Sequence, residues 1–190
     1  MYPPVTDIDV NFALDSVKRA DFLPLTYQSL GEEDQAIPYG DGITVPPRSY
    51  TALVMDLLDL KHNDKVMEIG TGSGYQTKVL SILCAEVHSC DICKIPVEVL
   101  ELLPEHVLCY PEKDGRYPFV FEKDFDAVLV TAGSDKVYDF WADSLADGGR
   151  LVVPIGEKGV YEVRKYVKHK GRMEDMGPFG LMDFVPLRRS

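Results

Sequence analysis

The 190-residue sequence is short of positive charge and of long apolar runs, and each shortage removes a class of function. Lys and Arg number 20 against 31 Asp and Glu, a formal net charge of −11. Binding to a phosphate backbone draws on a basic surface, so a nucleic-acid partner is not expected. The runs Arg164-Lys165, Lys168-His169-Lys170 and Arg188-Arg189 lie near the C-terminal end, and charge runs of this size usually form solvated faces. Every apolar run falls well below the roughly 20 residues of a spanning helix. The start, Met1-Tyr2-Pro3-Pro4-Val5, lacks a basic stretch followed by an apolar core. A cytoplasmic chain with no membrane partner is the expectation. Only four cysteines occur. Cys90 and Cys93 make a C-x-x-C around Asp91-Ile92, but a zinc site would need a second pair, and a redox pair would open a helix instead of ending a strand. Free thiols and no metal are expected. A triphosphate loop of the form G-x-x-x-x-G-K-[ST] is also missing.

What is present is an apolar strand that runs into a glycine turn. Lys65 to Ile69 is short, apolar and β-compatible, while Val79, Leu80, Ile82 and Leu83 recur at helical spacing after Thr77. Between them stands Glu68-Ile69-Gly70-Thr71-Gly72-Ser73-Gly74. Glycines let a backbone approach a ligand closely, and the helix that follows aims free N–H groups at it. A dinucleotide turn reads G-x-G-x-x-G, but counting from Gly70 puts Tyr75 at the last glycine and counting from Gly72 puts Thr77 there. An acid followed by G-x-G-x-G suits a cofactor with an adenosine and no phosphates. It resembles the first motif of S-adenosylmethionine-dependent methyltransferases. A second strand, Glu86 to Cys90, leads to Asp91, which lies 17 residues past Gly74. An acid near that spacing can accept from ribose hydroxyls; the blander reading is a helix cap.

Strands and helices continue to alternate. Tyr50 to Leu60 sets Leu53, Val54, Leu57 and Leu58 on one helical face. Phe125 to Thr131 and Gly149 to Gly156 read as a fourth and a fifth strand, with Val137 to Leu145 helical between them and Trp141 a packing anchor. Val160 to Lys168 and Phe179 to Leu187 suggest a final strand pair. The fold class is α/β: a doubly wound, mostly parallel sheet with an antiparallel C-terminal strand pair. With 45% hydrophobic and 27% charged residues and no linker or repeat, one domain is expected. Its parts are an N-terminal acceptor-side segment (1–49), a cofactor-binding core (50–156) and C-terminal strands (157–190).

Ordered motifs then carry a family resemblance. VMEIGTGSGYQTKVLSIL (66–83), FDAVLVTAG (125–133), LADGGRLVVPIG (145–156) and FVPL (184–187) resemble successive motifs of the protein-L-isoaspartate O-methyltransferase family. ADFLPL (20–25), IPYGDGITVPPRSYTALVMDLL (37–58) and KDGRYPF (113–119) are similar to its remaining segments, so the resemblance covers about residues 10 to 187. It implies a Rossmann-like methyltransferase fold and S-adenosyl-L-methionine as cofactor. It further implies methyl transfer to the α-carboxylate of L-isoaspartyl residues in damaged proteins, by a monomer acting on an isoaspartyl protein or peptide. By the same resemblance Glu68, Gly70, Thr71, Gly72, Ser73 and Gly74 line the methionine end, Asp91 the ribose, and Asp114 and Gly115 the adenine edge, with Ile92 a further cofactor-binding position. The catalytic positions are Thr44, Glu68 and Pro46, where Pro46 stands in place of the family's serine. Proline brings neither hydroxyl nor N–H. That departure keeps two alternatives: a methyltransferase of this fold acting on a different carboxylate, peptide or small-molecule acceptor, and a catalytically weak S-adenosylmethionine-binding module.

Overall fold

A computed structural model describes residues 6–120, 122–157 and 159–188. Met1 to Val5 and Arg189, both used in the sequence reading, lie outside them. A capping box opens the first helix: Asp9 N–H donates to Thr6 Oγ1 at 3.3 Å and Thr6 N–H donates to the Asp9 carboxylate at 2.8 Å. In chain order the elements begin with helix α1 (Asp7–Ser16), two 3₁₀ turns (Arg19–Phe22 and Leu25–Leu30), and a small hairpin of β1 (Ile37–Gly40) and β2 (Ile43–Val45). Then follow α2 (Arg48–Leu58), β3 (Lys65–Ile69), α3 (Tyr75–Leu83), β4 (Glu86–Cys90), α4 (Val97–Leu102) and β5 (Val107–Tyr110). The chain closes with β6 (Phe125–Val130), α5 (Asp139–Ser144), β7 (Leu145–Glu157), β8 (Val160–His169) and β9 (Arg172–Asp183).

Seven strands form one sheet in the order β5-β4-β3-β6-β7-β8-β9. The pairs from β5 to β7 are parallel, and β8 and β9 are antiparallel additions. The order reverses at β3, so β4 and β6 flank it and their carboxyl ends open a crevice there. Alternate residues of each strand supply two cores. Val66, Ala127, Leu129 and Val152 pack under α1, α2 and α3. Met67, Ile69, Val128, Val130, Leu151 and Val153 pack with Trp141 on the opposite face.

One arginine locks the edge of this arrangement. Arg150 on β7 donates to the carbonyls of Leu58, Asp59 and Asp126 at 2.8–2.9 Å and pairs with the buried Asp64 carboxylate. It ties the end of α2, the approach to β3 and the start of β6 to one side chain.

Several element boundaries differ from those predicted; the fifth strand begins at Leu145 and not at Gly149, and α2 runs Arg48–Leu58 and not Tyr50–Leu60. The expected helix Val137–Leu145 contracts to α5, because Leu145 already pairs with Phe125 as the first residue of β7. The last strand begins at Arg172, before Phe179, and ends at Asp183. Pro178 is tolerated inside it because β9 is an edge strand and the register shifts between Arg164 and its neighbours. The apolar run Phe184 to Leu187 leaves the sheet and crosses to Gly133, whose N–H donates to Val185 O at 2.9 Å and whose carbonyl accepts from Leu187 N–H at 2.7 Å. The basic runs also have local work: Arg164 pairs with Glu162 and Asp175, and Lys168 Nζ donates to the Ala142 and Leu145 carbonyls.

Candidate active site

The glycine turn stands where β3 ends. Gly70 N–H and Thr71 N–H both donate to Cys90 O, at 2.8 and 3.1 Å, which joins the turn to the tip of β4. Gly70 has φ +107°, and a Cβ there would lie 2.1 Å from Thr131 Oγ1. Thr131 fills that space and sits 2.8 Å from Gly70 O, linking β6 to the turn. Gly74 precedes α3 in the left-handed region, with φ +81°, and a Cβ there would meet Val99 at 2.6 Å. These positions admit only glycine without rearrangement.

Beneath the turn lies a buried polar cluster. Glu68 is fully buried, and its Oε2 accepts from Thr77 Oγ1 at 2.5 Å and Ser89 Oγ at 2.6 Å. Ser89 Oγ lies 2.7 Å from Thr71 Oγ1. The Ser89 proton is committed to Glu68, so Thr71 is the donor in that second bond. Glu68 Oε1 has no partner among the described residues. Burial pushes the Glu68 pKa up to about 7, with the nearby Asp91 charge adding to it and the Ser89 and Thr77 hydrogen bonds opposing.

Asp91 carries the turn from the other side. Its carboxylate accepts from Gly72 N–H at 2.7 Å and from Cys93 N–H at 2.8 Å. Asp114 is held flat by Arg116 through two side-chain hydrogen bonds and accepts from Arg116 N–H at 3.1 Å. Trp141 Nε1 donates to Gly115 O at 2.7 Å, so the expected packing anchor also fixes the adjacent turn.

These elements enclose a cavity of about 310 Å³, within the range usual for small-molecule sites. Gly70, Thr71, Gly72, Ser73, Asp91, Ile92, Asp114 and Gly115 line it, and Thr44 and Pro46 line it from the hairpin side. Glu68 and Gly74 are not among the lining residues: Glu68 braces the turn from below, and Gly74 sets the entry to α3. The hairpin is held by Arg19, a buried guanidinium that donates to the carbonyls of Glu33, Gln35 and Val45 at 2.6–3.2 Å. Sequence reasoning missed Arg19, Tyr50, Gln76, Thr131 and the tail from Met182 to Leu187; all but Arg19 line the cavity directly. The tail's only sequence signal was its FVPL run, which reads as a strand.

The residues fit an adenosine-bearing cofactor. Asp91 offers carboxylate oxygens at the tip of the second strand, Asp114-Gly115 forms a turn beside it, and Gly70 to Ser73 of the glycine turn line the cavity between them and the hairpin. The four cysteines are free thiols, and among the described residues no group of three or more His, Cys, Asp or Glu gathers to hold a metal. Nor is any described helix long and apolar enough to cross a membrane.

Sheet order, glycine turn and cavity together define the Rossmann-like fold of the class I S-adenosylmethionine-dependent methyltransferases. Comparison with known proteins narrows the class. The family model "Protein-L-isoaspartate(D-aspartate) O-methyltransferase" matches residues 4–190, and the chain belongs to that family. The protein-L-isoaspartate O-methyltransferase of Methanoculleus marisnigri is 34% identical over 187 residues, covering 96% of this chain and 84% of its own. That of Dictyoglomus thermophilum is 33% identical over 180 residues, covering 93% and 81%. In three dimensions the chain is similar to a Plasmodium falciparum crystal structure described as a protein-L-isoaspartate O-methyltransferase in complex with S-adenosyl-L-homocysteine. The TM-score is 0.77 at 20% identity, covering 96% of this chain and 91% of that one, a likeness of fold.

Proposed function

We propose that this protein binds S-adenosyl-L-methionine in the cavity and transfers its methyl group to the α-carboxylate of L-isoaspartyl residues in damaged proteins. The observation that carries the reading is a cavity with two unlike walls in a chain of this family. One wall is the glycine turn with Asp91 and Asp114; the other is the hairpin at Thr44 and Pro46 with the C-terminal tail. In this reading residues 1–49 present the acceptor, 50–156 hold the cofactor and 157–190 close the cavity, in a monomer acting in the cytoplasm.

When bound, S-adenosylmethionine supplies an electrophilic methyl group on a positively charged sulfur. The acceptor carboxylate is already ionised at neutral pH, so a lone pair on its oxygen forms the O–C bond as the S–C electron pair departs with sulfur, and no proton moves. The protein's work is alignment and exclusion of water. Asp91 holds the ribose, Asp114 and Gly115 the adenine edge, and Gly70 to Ser73 the methionine end, with Ile92 on the wall beside Asp91. Glu68, Thr77 and Ser89 keep the turn rigid beneath it.

The test follows the acceptor by mass. An isoaspartyl peptide incubated with the protein and S-adenosylmethionine gains one methyl group. It then loses methanol to give a succinimide, which opens to aspartyl and isoaspartyl peptide. A peptide that gains no methyl group, or one whose ester sits on another residue, overturns the assignment.

A further inference from the structure

Two donors on the cavity wall are buried and have no hydrogen-bond partner among the described residues: the Tyr50 hydroxyl and Gln76 Nε2. Tyr50 is 4% exposed and Gln76 7%, and both line the cavity. A buried donor left without an acceptor is destabilising, and two lining the same cavity point to an acceptor oxygen that the polypeptide does not supply. An amide NH₂ can only donate, so the pair together selects an oxygen acceptor. Burial holds the Tyr50 pKa above its ordinary value, which keeps the hydroxyl protonated.

Gln76 stands on the first turn of α3, just past the glycine turn, and Tyr50 stands across from the hairpin and the tail. Tyr50 lies on the first turn of α2, one helical turn past Pro46, and its ring packs edge-on against Phe184 of the tail at 5.2 Å. Pro46, Pro47, Ala36 and Met182 line the cavity with it, so this wall is apolar apart from a few donors. Pro46 can offer no hydrogen bond from side chain or backbone nitrogen. Ser49, the nearest serine, is exposed, gives its N–H to Asp34 and does not line the cavity.

We propose that Tyr50 and Gln76 grip one oxygen of the acceptor's carboxylate while the other oxygen takes the methyl group, so that Tyr50 supplies the hydroxyl Pro46 cannot. This rests on the function proposed above and deepens it. Neither residue gains or loses a proton. The new O–C bond forms as the S–C bond breaks with its electron pair moving to sulfur, and the carboxylate's charge is consumed. The grip is therefore tighter on the acceptor than on the ester, which places its contribution in KM more than in kcat.

Tyr50→Phe and Gln76→Leu test it. Each is expected to raise KM for an isoaspartyl peptide about tenfold to a hundredfold, as for a lost hydrogen bond to a charged group, with a much smaller change in kcat. Affinity for S-adenosyl-L-homocysteine by calorimetry stays at the wild-type value. The ligand-free Tyr50→Phe protein melts at the wild-type temperature or above it, because the ring is kept and only an unpartnered hydroxyl is removed. An active wild type with KM unmoved in both variants overturns this assignment alone. So does a loss of S-adenosyl-L-homocysteine affinity, or a lowered Tm with kcat falling in proportion. A wild type that methylates no isoaspartyl peptide overturns the proposed function, and this assignment with it.

Discussion

Replacing Glu68 by glutamine should remove a pH dependence of stability that the wild-type protein carries at neutral pH. The carboxyl is fully buried, and its pKa is raised from 4.5 to about 7, chiefly by desolvation. Between those values the folded chain holds a proton that the unfolded chain has released, so unfolding free energy falls as pH rises. The contribution is complete below pH 4.5 and is lost as pH passes through about 7. At about 1.4 kcal/mol per pH unit the whole interval is worth about 3 kcal/mol, undiminished by solvent because no part of the group is exposed. The amide of the Glu68→Gln variant has no such titration, while groups not coupled to Glu68 are common to both proteins and cancel in the comparison. Urea unfolding followed by far-ultraviolet circular dichroism at intervals from about pH 5 to 8 measures it. Wild type should lose about 2–3 kcal/mol relative to Glu68→Gln across that range. Parallel pH profiles for the two proteins would refute the burial argument.

Asp91→Ala should weaken S-adenosyl-L-methionine binding by about 1–3 kcal/mol, the loss expected when hydrogen bonds to a charged acceptor disappear; unchanged affinity by calorimetry would remove Asp91 from the ribose site. Arg150→Met should lower unfolding free energy by about 3–5 kcal/mol, because it leaves the buried Asp64 carboxylate without its cation and strips three carbonyls of a donor. Thermal unfolding checks it, and a Tm within a degree or two of wild type would mean that this anchor carries little.

The parts of the fold most legible in the sequence are those whose signal is local. β3 and β4 occupy the residues predicted, Lys65–Ile69 and Glu86–Cys90, because each is a short β-compatible run that ends at turn residues. The glycine turn and Asp91 were readable for the same reason: spacing along the chain dictated their meeting. β9 was misplaced because an edge strand exposed on most of its length shows no hydrophobic alternation to mark its limits. The FVPL run misled in the opposite direction, since its apolar residues cover the cavity and cross to Gly133 instead of pairing in the sheet. Tyr50 and Gln76 gave no signal at all. Each reads as an ordinary helical residue until the cavity shows that its polar atom is buried beside a space and lacks a partner. The departure at Pro46 was plain in the sequence, but the place of Tyr50 on the cavity wall depends on how α2 packs against Phe184.

The central claim is that the cavity joins a methyl donor to an isoaspartyl carboxylate, and a paired-peptide assay with isotope-labelled S-adenosyl-L-methionine tests it most directly. The protein is incubated with an isoaspartyl peptide and, separately, with its aspartyl twin, and base-labile label is counted on each. Label on the isoaspartyl peptide alone is the expected result. Equal labelling of both peptides, or of neither, would contradict the account.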